Sequence, residues 1–218
     1  MIINKSFDIP KVEFEANSHT YTLNGEPTLS VTNVISVKKD LYKYVNDYVL
    51  DLTRKRGNAL HAYAALLFSF ENLDEYEIDL KVIPYINTLR ESIESIGLLH
   101  KSAIDTYTYF IEEPICCPKT RIAGTPDLII FDMFAKICSI VELKSGLFGL
   151  ANLQTAGYQH IIDNITKEEW KFRRYGIKLT ERFDKKNVVK YDKILDEQVF
   201  TSCLNVAKYF DMINSKTA

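Results

Sequence analysis

Gly124-Thr125-Pro126-Asp127-Leu128-Ile129-Ile130-Phe131 and Ile140-Val141-Glu142-Leu143-Lys144 are the two segments that decide the expected fold of this chain. Each contains a short run of β-branched, aliphatic or aromatic residues bounded by residues that break regular structure, so each predicts a strand. Side chains alternate between the two faces of a strand, which places Glu142 and Lys144 on the same face. A carboxylate and an ammonium are therefore expected side by side where the second strand ends.

A second carboxylate, Asp127, follows the Gly-Pro turn and precedes the first of these strands. From a neighbouring strand it can reach the Glu142–Lys144 pair. Two carboxylates that converge repel each other unless a cation lies between them. Carboxylate oxygens suit a hard divalent ion, so we expect one or two ions of Mg²⁺ or Mn²⁺ at this point.

Four motifs in this chain resemble, in the same order, those of the PD-(D/E)XK nuclease superfamily and its RecB-type and lambda-exonuclease-like members. Pro126-Asp127 with Glu142-x-Lys144 is similar to the superfamily signature. The segment from Phe14 to Thr32 also resembles the opening of small phage exonucleases, so the resemblance covers most of the chain. Three further segments resemble the G-x-x-x-H motif, the acidic motif before the aspartate turn, and the Q-x-x-x-Y helix: Gly57-Asn58-Ala59-Leu60-His61, Glu112-Glu113-Pro114 and Gln154-Thr155-Ala156-Gly157-Tyr158.

The resemblance implies an α/β (α+β) fold with a restriction-endonuclease-like core, in which helices flank a central mixed β-sheet. It implies metal-dependent hydrolysis of DNA in phage or mobile-element recombination or replication, with a recombinase or single-strand-binding protein as a candidate partner. The implied metal ligands are His61, Glu112, Asp127, Glu142 and the backbone carbonyl of Leu143. The implied catalytic residues are Asp127, Glu142, Lys144, Gln154 and Tyr158.

Several alternatives stay open from the sequence. His61 is either a metal ligand or a hydrogen-bonded histidine of the core. Lys144 either orients or deprotonates the attacking water, or stabilises charge on the phosphate as a fixed cation. An exonuclease is the leading interpretation, and the alternatives are a structure-specific endonuclease and a catalytically idle module that binds DNA or a protein partner. The intact set of Asp127, Glu142 and Lys144 favours an enzyme over the idle module.

Basic residues cluster late in the chain, although the whole chain has a net charge of −2. Nine bases and four acids lie between Lys167 and Lys190, interleaved with aromatic residues. This mixture suits contact with a phosphate backbone, while the alternative is an edge strand protected from aggregation by its charges. The predicted DNA-binding residues are Lys171, Arg173, Arg174 and Lys178 in this segment, and Arg54 and Arg56 upstream.

Composition and periodicity indicate one domain over residues 1–218. Of the 218 residues, 46% are hydrophobic, which is ample for one core. We expect residues 1–100 to hold a hairpin and the helices that carry G-x-x-x-H, and 101–218 to hold the catalytic sheet and a C-terminal helix. The four cysteines lack the spacing of a metal cage, and no signal peptide or membrane-spanning stretch is evident, which predicts a cytoplasmic protein. Predicted helices cover 41–55, 57–70, 80–99, 153–165 and 200–213, and further predicted strands cover 106–111, 170–179 and 188–191.

Overall fold

The computed structural model of the protein describes residues 10–15, 18–36, 47–68, 78–98, 107–145 and 148–217, with side chains outside 47–56 and 213–217. Among these residues, three strands are followed by three helices, five strands, one helix, two strands and a last helix. The helices are α1 (Val31–Ile35), α2 (Asp47–Phe68), α3 (Ile83–Ser95), α4 (Ala151–Ile165) and α5 (Ile194–Thr217). The strands are β1 (Glu13–Glu15), β2 (Thr20–Leu23), β3 (Glu26–Ser30), β4 (Tyr107–Ile111), β5 (Ile115–Cys117), β6 (Ile122–Gly124), β7 (Leu128–Asp132), β8 (Ile137–Lys144), β9 (Lys171–Lys178) and β10 (Val188–Tyr191).

The larger sheet contains the segments quoted at the outset and has the strand order β10-β9-β8-β7-β4. Its strands pair antiparallel except for β8 and β9, which run parallel. Parallel neighbours need a long crossover connection, and α4 supplies it between β8 and β9. The sheet is therefore mixed, as predicted.

Helices cover both faces of this sheet because its central strands are apolar on both sides. One face packs Ile129 and Ile140 with residues of α1, α4 and α5. The other face packs Leu128 and Val141 with Leu89 and other residues of α2 and α3. The prediction of a mixed α/β protein with flanking helices is confirmed at this level.

A second mixed sheet has the strand order β1-β2-β3-β6-β5 and was not predicted. Its hairpin between β2 and β3 turns at Asn24 and Gly25, whose positive φ angles of 55° and 79° match the turn signal in the sequence. Strands β5 and β6 have three residues each, which is too short for alternation to be recognised in the sequence. Ser30 caps α1 by accepting a hydrogen bond from the backbone N–H of Asn33, at 2.9 Å.

Two helix predictions are corrected by the structure. The predicted helices 41–55 and 57–70 form one helix where they are described, because α2 runs without a break from Asp47 to Phe68. Gly57 is inside it, and a Cβ atom there would lie 3.3 Å from Ser145 Oγ, so this glycine permits close approach to the end of β8 rather than ending a helix. Helix α3 begins at Ile83, with Pro84 in its first turn, instead of at residue 80. Within the described residues, no helix is both long and apolar enough to span a membrane.

Candidate metal centre

One bent hairpin links the two sheets and positions two carboxylates. Strands β4 and β7 pair in the larger sheet, and their continuations β5 and β6 pair in the smaller one. Glu112 follows β4 and Asp127 precedes β7, so both lie where the hairpin bends. The backbone N–H of Glu112 donates to the carbonyl of Asp127 at 3.2 Å, which keeps the two residues side by side. Glu112 has a φ of +48°, a strained backbone that costs about 1–3 kcal/mol and is typical of functional sites.

Helix α2 brings His61 against these carboxylates. The Nδ1 atom of His61 lies 2.8 Å from Glu112 Oε1 and 3.2 Å from Asp127 Oδ1. Ligand atoms of the three residues lie within 4.8 Å of one another. Side-chain exposure is 28% for His61, 39% for Glu112 and 10% for Asp127, so the group opens to solvent on one side. This group can bind a metal ion.

The protonation of His61 shows how the site balances its charge. Burial lowers the pKa of His61, but hydrogen bonds to Asp127 and Glu112 and their negative charges outweigh burial and raise the pKa to about 10. At neutral pH the imidazolium therefore supplies the positive charge that the paired carboxylates require. A divalent cation would supply the same charge and would replace the proton.

Asp127 is also fixed by the neighbouring strand. Its Oδ2 atom accepts a hydrogen bond from the backbone N–H of Leu143, at 2.5 Å. The N–H and C=O groups of one strand residue point to the same side, so the Leu143 carbonyl also faces β7. The register of β7 and β8 sets Pro126 opposite Leu143, and proline has no N–H to donate to that carbonyl. The orientation of the carbonyl is thus compatible with its predicted role as a metal ligand.

Glu142 and Lys144 form a buried ion pair beside this group. Lys144 Nζ donates to Glu142 Oε1 at 2.6 Å, and the Glu142 side chain is only 3% exposed. Burial and the negative charge of Asp127 raise the pKa of Glu142, whereas the ammonium of Lys144 lowers it. Glu142 Oε2 is buried and has no hydrogen-bond partner among the described residues. A cation near Asp127 would offset the repulsion between the carboxylates of Asp127 and Glu142 and would give this oxygen a partner.

The predicted ligand set is therefore divided in the structure. His61, Glu112 and Asp127 converge on one point, whereas Glu142 is engaged by Lys144. The donor set consists of carboxylate oxygens and one imidazole nitrogen, with a backbone carbonyl facing the same strand. Such donors fit a divalent ion such as Mg²⁺ or Mn²⁺.

A chain of hydrogen bonds leads from Lys144 back to the bend of the hairpin. Lys144 Nζ donates to Gln154 Oε1, Gln154 Nε2 donates to the Tyr158 hydroxyl, and that hydroxyl donates to the carbonyl of Thr125, each at 3.1 Å. A Cβ atom on Gly124 would lie 2.7 Å from the Tyr158 ring, so this position needs glycine. Gln154 and Tyr158 thus act as one connected unit.

Two residues of this network have no role in the sequence-based prediction. The hydroxyl of Tyr21, on β2 of the smaller sheet, lies 2.9 Å from Thr125 Oγ1. Tyr21 occurs in the segment that resembles phage exonucleases, but alternation in a hairpin indicates only that it is buried. Its contact with a residue 104 positions away depends on the unpredicted second sheet.

The structure separates the predicted DNA-binding residues. Lys178 pairs in register with Lys144, so both project from the same face. Lys171 and Arg173 alternate onto the opposite face, and Lys171 lies seven residues from Lys178, a distance of about 23 Å along a strand. The side chains of Arg54 and Arg56 lie outside those described.

Arg174, another predicted DNA-binding residue, is buried and paired within the protein. Its side chain is 3% exposed and donates to the carbonyls of Asn152, at 3.3 Å, and Lys193, at 3.1 Å. The carboxylates of Asp196 and Glu197 lie 3.8 Å and 3.5 Å away. Arg174 therefore anchors the start of α5 to the sheet.

No protein-family model matches the chain, and no curated protein is significantly similar to it in sequence.

Proposed function

We propose that this protein is a divalent-metal-dependent deoxyribonuclease of the PD-(D/E)XK type, with a restriction-endonuclease-like core and exonuclease activity. The observation that carries the proposal is the convergence of His61, Glu112 and Asp127 beside the Glu142–Lys144 pair. These residues come from separate motifs of the resemblance and meet at one end of a mixed sheet. A surface without function has little reason to keep two carboxylates, an imidazole and a buried ion pair together.

The proposed metal site consists of His61, Glu112 and Asp127, with Glu142 and the Leu143 carbonyl beside it. A bound Mg²⁺ or Mn²⁺ would lower the pKa of a coordinated water and offset negative charge on the phosphate. His61 must be neutral to serve as a ligand, which couples metal binding to loss of its proton.

Lys144 is assigned to charge stabilisation in this proposal. Its ammonium is held by two acceptors, Glu142 at 2.6 Å and Gln154 at 3.1 Å. A cation fixed in this way is suited to stabilising charge that develops on a phosphate oxygen, because it needs little reorganisation during the reaction. Gln154 and Tyr158 orient Lys144 and connect it to the backbone that precedes Asp127.

The DNA path is proposed to pass over the end of β9 at Lys178. This lysine neighbours Lys144 on the same face of the sheet, and a cavity of about 470 Å³ is lined by Ser145, Lys178 and Arg182 among other residues. One basic group beside Lys144 and a second in this cavity, which also contains Glu181, favour a polyanionic substrate over a small neutral one. Action in the host cytoplasm and cooperation with a recombinase or single-strand-binding protein remain predictions from the resemblance.

Cleavage assays on linear and covalently closed circular DNA test the proposal. With Mg²⁺ or Mn²⁺ we expect degradation of linear DNA from its ends, no cutting of circles, and no activity in EDTA. Cutting of circles would favour the structure-specific endonuclease, and an absence of cleavage on any DNA would favour the idle binding module.

Substitution of two aspartates, one just before strand β7 and one at its end, tests whether the activity belongs to this site. Asp127→Asn should lower kcat by roughly 100-fold or more, because the metal loses a ligand charge. Asp132→Asn is the control, since Asp132 ends β7 at the far side from Asp127 and accepts from backbone N–H groups of the following turn and from the Tyr107 hydroxyl. Equal activity of both variants would assign the cleavage to another site or to a contaminant.

A further inference from the structure

A tyrosine hydroxyl of the smaller sheet is directed at the segment that leads into the candidate metal centre. Tyr21 is 4% exposed and lies on β2, and its ring stacks on Phe14 at 4.7 Å between centroids with an angle of 29° between planes. Its hydroxyl lies 2.9 Å from Thr125 Oγ1. The ring is therefore held by the hairpin, and its polar end is directed at the segment that leads into Asp127.

Each residue of that segment is restrained by a different neighbour. Thr125 is bonded through its hydroxyl to Tyr21 and through its carbonyl to Tyr158. Pro126 has a backbone φ restricted by its ring. Asp127 accepts from the N–H of Glu112 through its carbonyl and from the N–H of Leu143 through its carboxylate. Three of these four bonds come from the larger sheet and its helix α4, and the bond from Tyr21 is the one from the smaller sheet.

We infer that Tyr21 is a positioning residue for the metal centre: its hydrogen bond to Thr125 sets the orientation of the Asp127 carboxylate. The inference rests on the proposed function and adds to it a role for the smaller sheet. The hydroxyl of Tyr21 acts through Thr125 and does not touch the metal ligands. Small displacements of a reacting group reduce catalysis strongly, by up to about 100-fold for 1 Å, so one restraint two residues from Asp127 affects the rate.

The test uses two substitutions that remove only hydroxyl groups. Tyr21→Phe and Thr125→Val each break the bond between them and leave the backbone carbonyl of Thr125 free to accept from Tyr158. Each should lower kcat by about 3- to 30-fold, while KM for DNA changes by less than about twofold. The double variant should be no worse than the more impaired single variant, because both substitutions remove the same bond. Tyr107→Phe is the control, since its hydroxyl pairs with Asp132 at the far end of β7.

The outcomes separate failure of this inference from failure of the proposed function. If the wild-type protein cleaves DNA, a kcat for Tyr21→Phe equal to that of Tyr107→Phe overturns the inference and leaves the proposed function intact. Losses in kcat that multiply in the double variant also overturn it. If the wild-type protein does not cleave DNA, the affinity for Mn²⁺ measured by calorimetry replaces kcat. A weakening of about 3- to 10-fold in Tyr21→Phe is then expected, and unchanged affinity overturns the inference.

Discussion

Binding of a divalent ion at the candidate metal centre should release protons, and the number follows from the charges around the site. Metal ions bind neutral imidazole and ionised carboxylate, so they displace any protons that these groups hold. The pKa of His61 is raised to about 10. At pH 7 its ring is mostly protonated in the metal-free protein. We therefore expect release of about one proton for each ion bound.

The same pKa gives the size of the pH effect on affinity. Each pH unit below a pKa adds about 1.4 kcal/mol to the cost of removing the proton. At pH 7 this cost is about 4 kcal/mol for His61. Metal affinity should rise roughly tenfold per pH unit up to about pH 10, where the ring no longer holds a proton to displace.

Titration calorimetry with Mn²⁺ in buffers of different ionisation enthalpy measures the protons released. His61→Gln should reduce the release at pH 7 from about one proton to almost none. His160→Gln is a matched control, because His160 lies on α4 among residues that do not include the candidate ligands. A binding enthalpy that does not depend on the buffer would refute the reasoning, as would the same proton release from His61→Gln and the wild-type protein.

Three further predictions follow from the described contacts. In EDTA, stability should fall as pH rises, because folding raises the pKa of His61 from 6.5 to about 10, so its proton contributes stability that is fully present below pH 6.5 and is lost as the pH rises through about 10; a Tm that rises from pH 6 to 9 would contradict this. Arg174→Ala should destabilise the fold by about 2–4 kcal/mol and lower Tm by roughly 5–15 °C, whereas Arg173→Ala should cost less than about 1 kcal/mol; similar thermal shifts would contradict the anchoring role. Lys178→Ala should weaken DNA binding in Ca²⁺ and reduce the salt slope by about one unit, and an equal effect of Lys171→Ala would move the DNA path to the other face.

Local pattern was enough to predict strand β8 and its polar pair. Alternation in β8 places Glu142 and Lys144 on one face, and the two side chains form an ion pair there. Alternation left open which of Arg173 and Arg174 is exposed. It places neighbouring residues on opposite faces of the sheet but does not identify the face on which an arginine is covered. The choice depends on α5, whose first turn supplies the partners of Arg174.

The geometry of the metal centre could not be predicted from local pattern, because it depends on contacts between distant segments. The bend that joins Glu112 to Asp127 lies where β5 and β6 leave the larger sheet for the smaller one, in which β6 pairs with β3 of the N-terminal hairpin, and β5 and β6 are too short to be recognised. Gly57 indicated a helix junction from its low helix propensity, whereas in the structure it allows α2 to approach Ser145 closely. The meeting of His61 with the two carboxylates follows from that approach.

The central claim is that His61, Glu112 and Asp127 hold a divalent ion, and anomalous scattering from crystals of the protein soaked in Mn²⁺ tests it most directly. Crystals at pH 8 or above favour loss of the protons that compete with the ion. The account predicts an anomalous peak at coordination distance from carboxylate oxygens of Glu112 and Asp127 and from a ring nitrogen of His61, and loss of that peak in Asp127→Asn. Manganese peaks found only at other positions in the wild-type protein would contradict it.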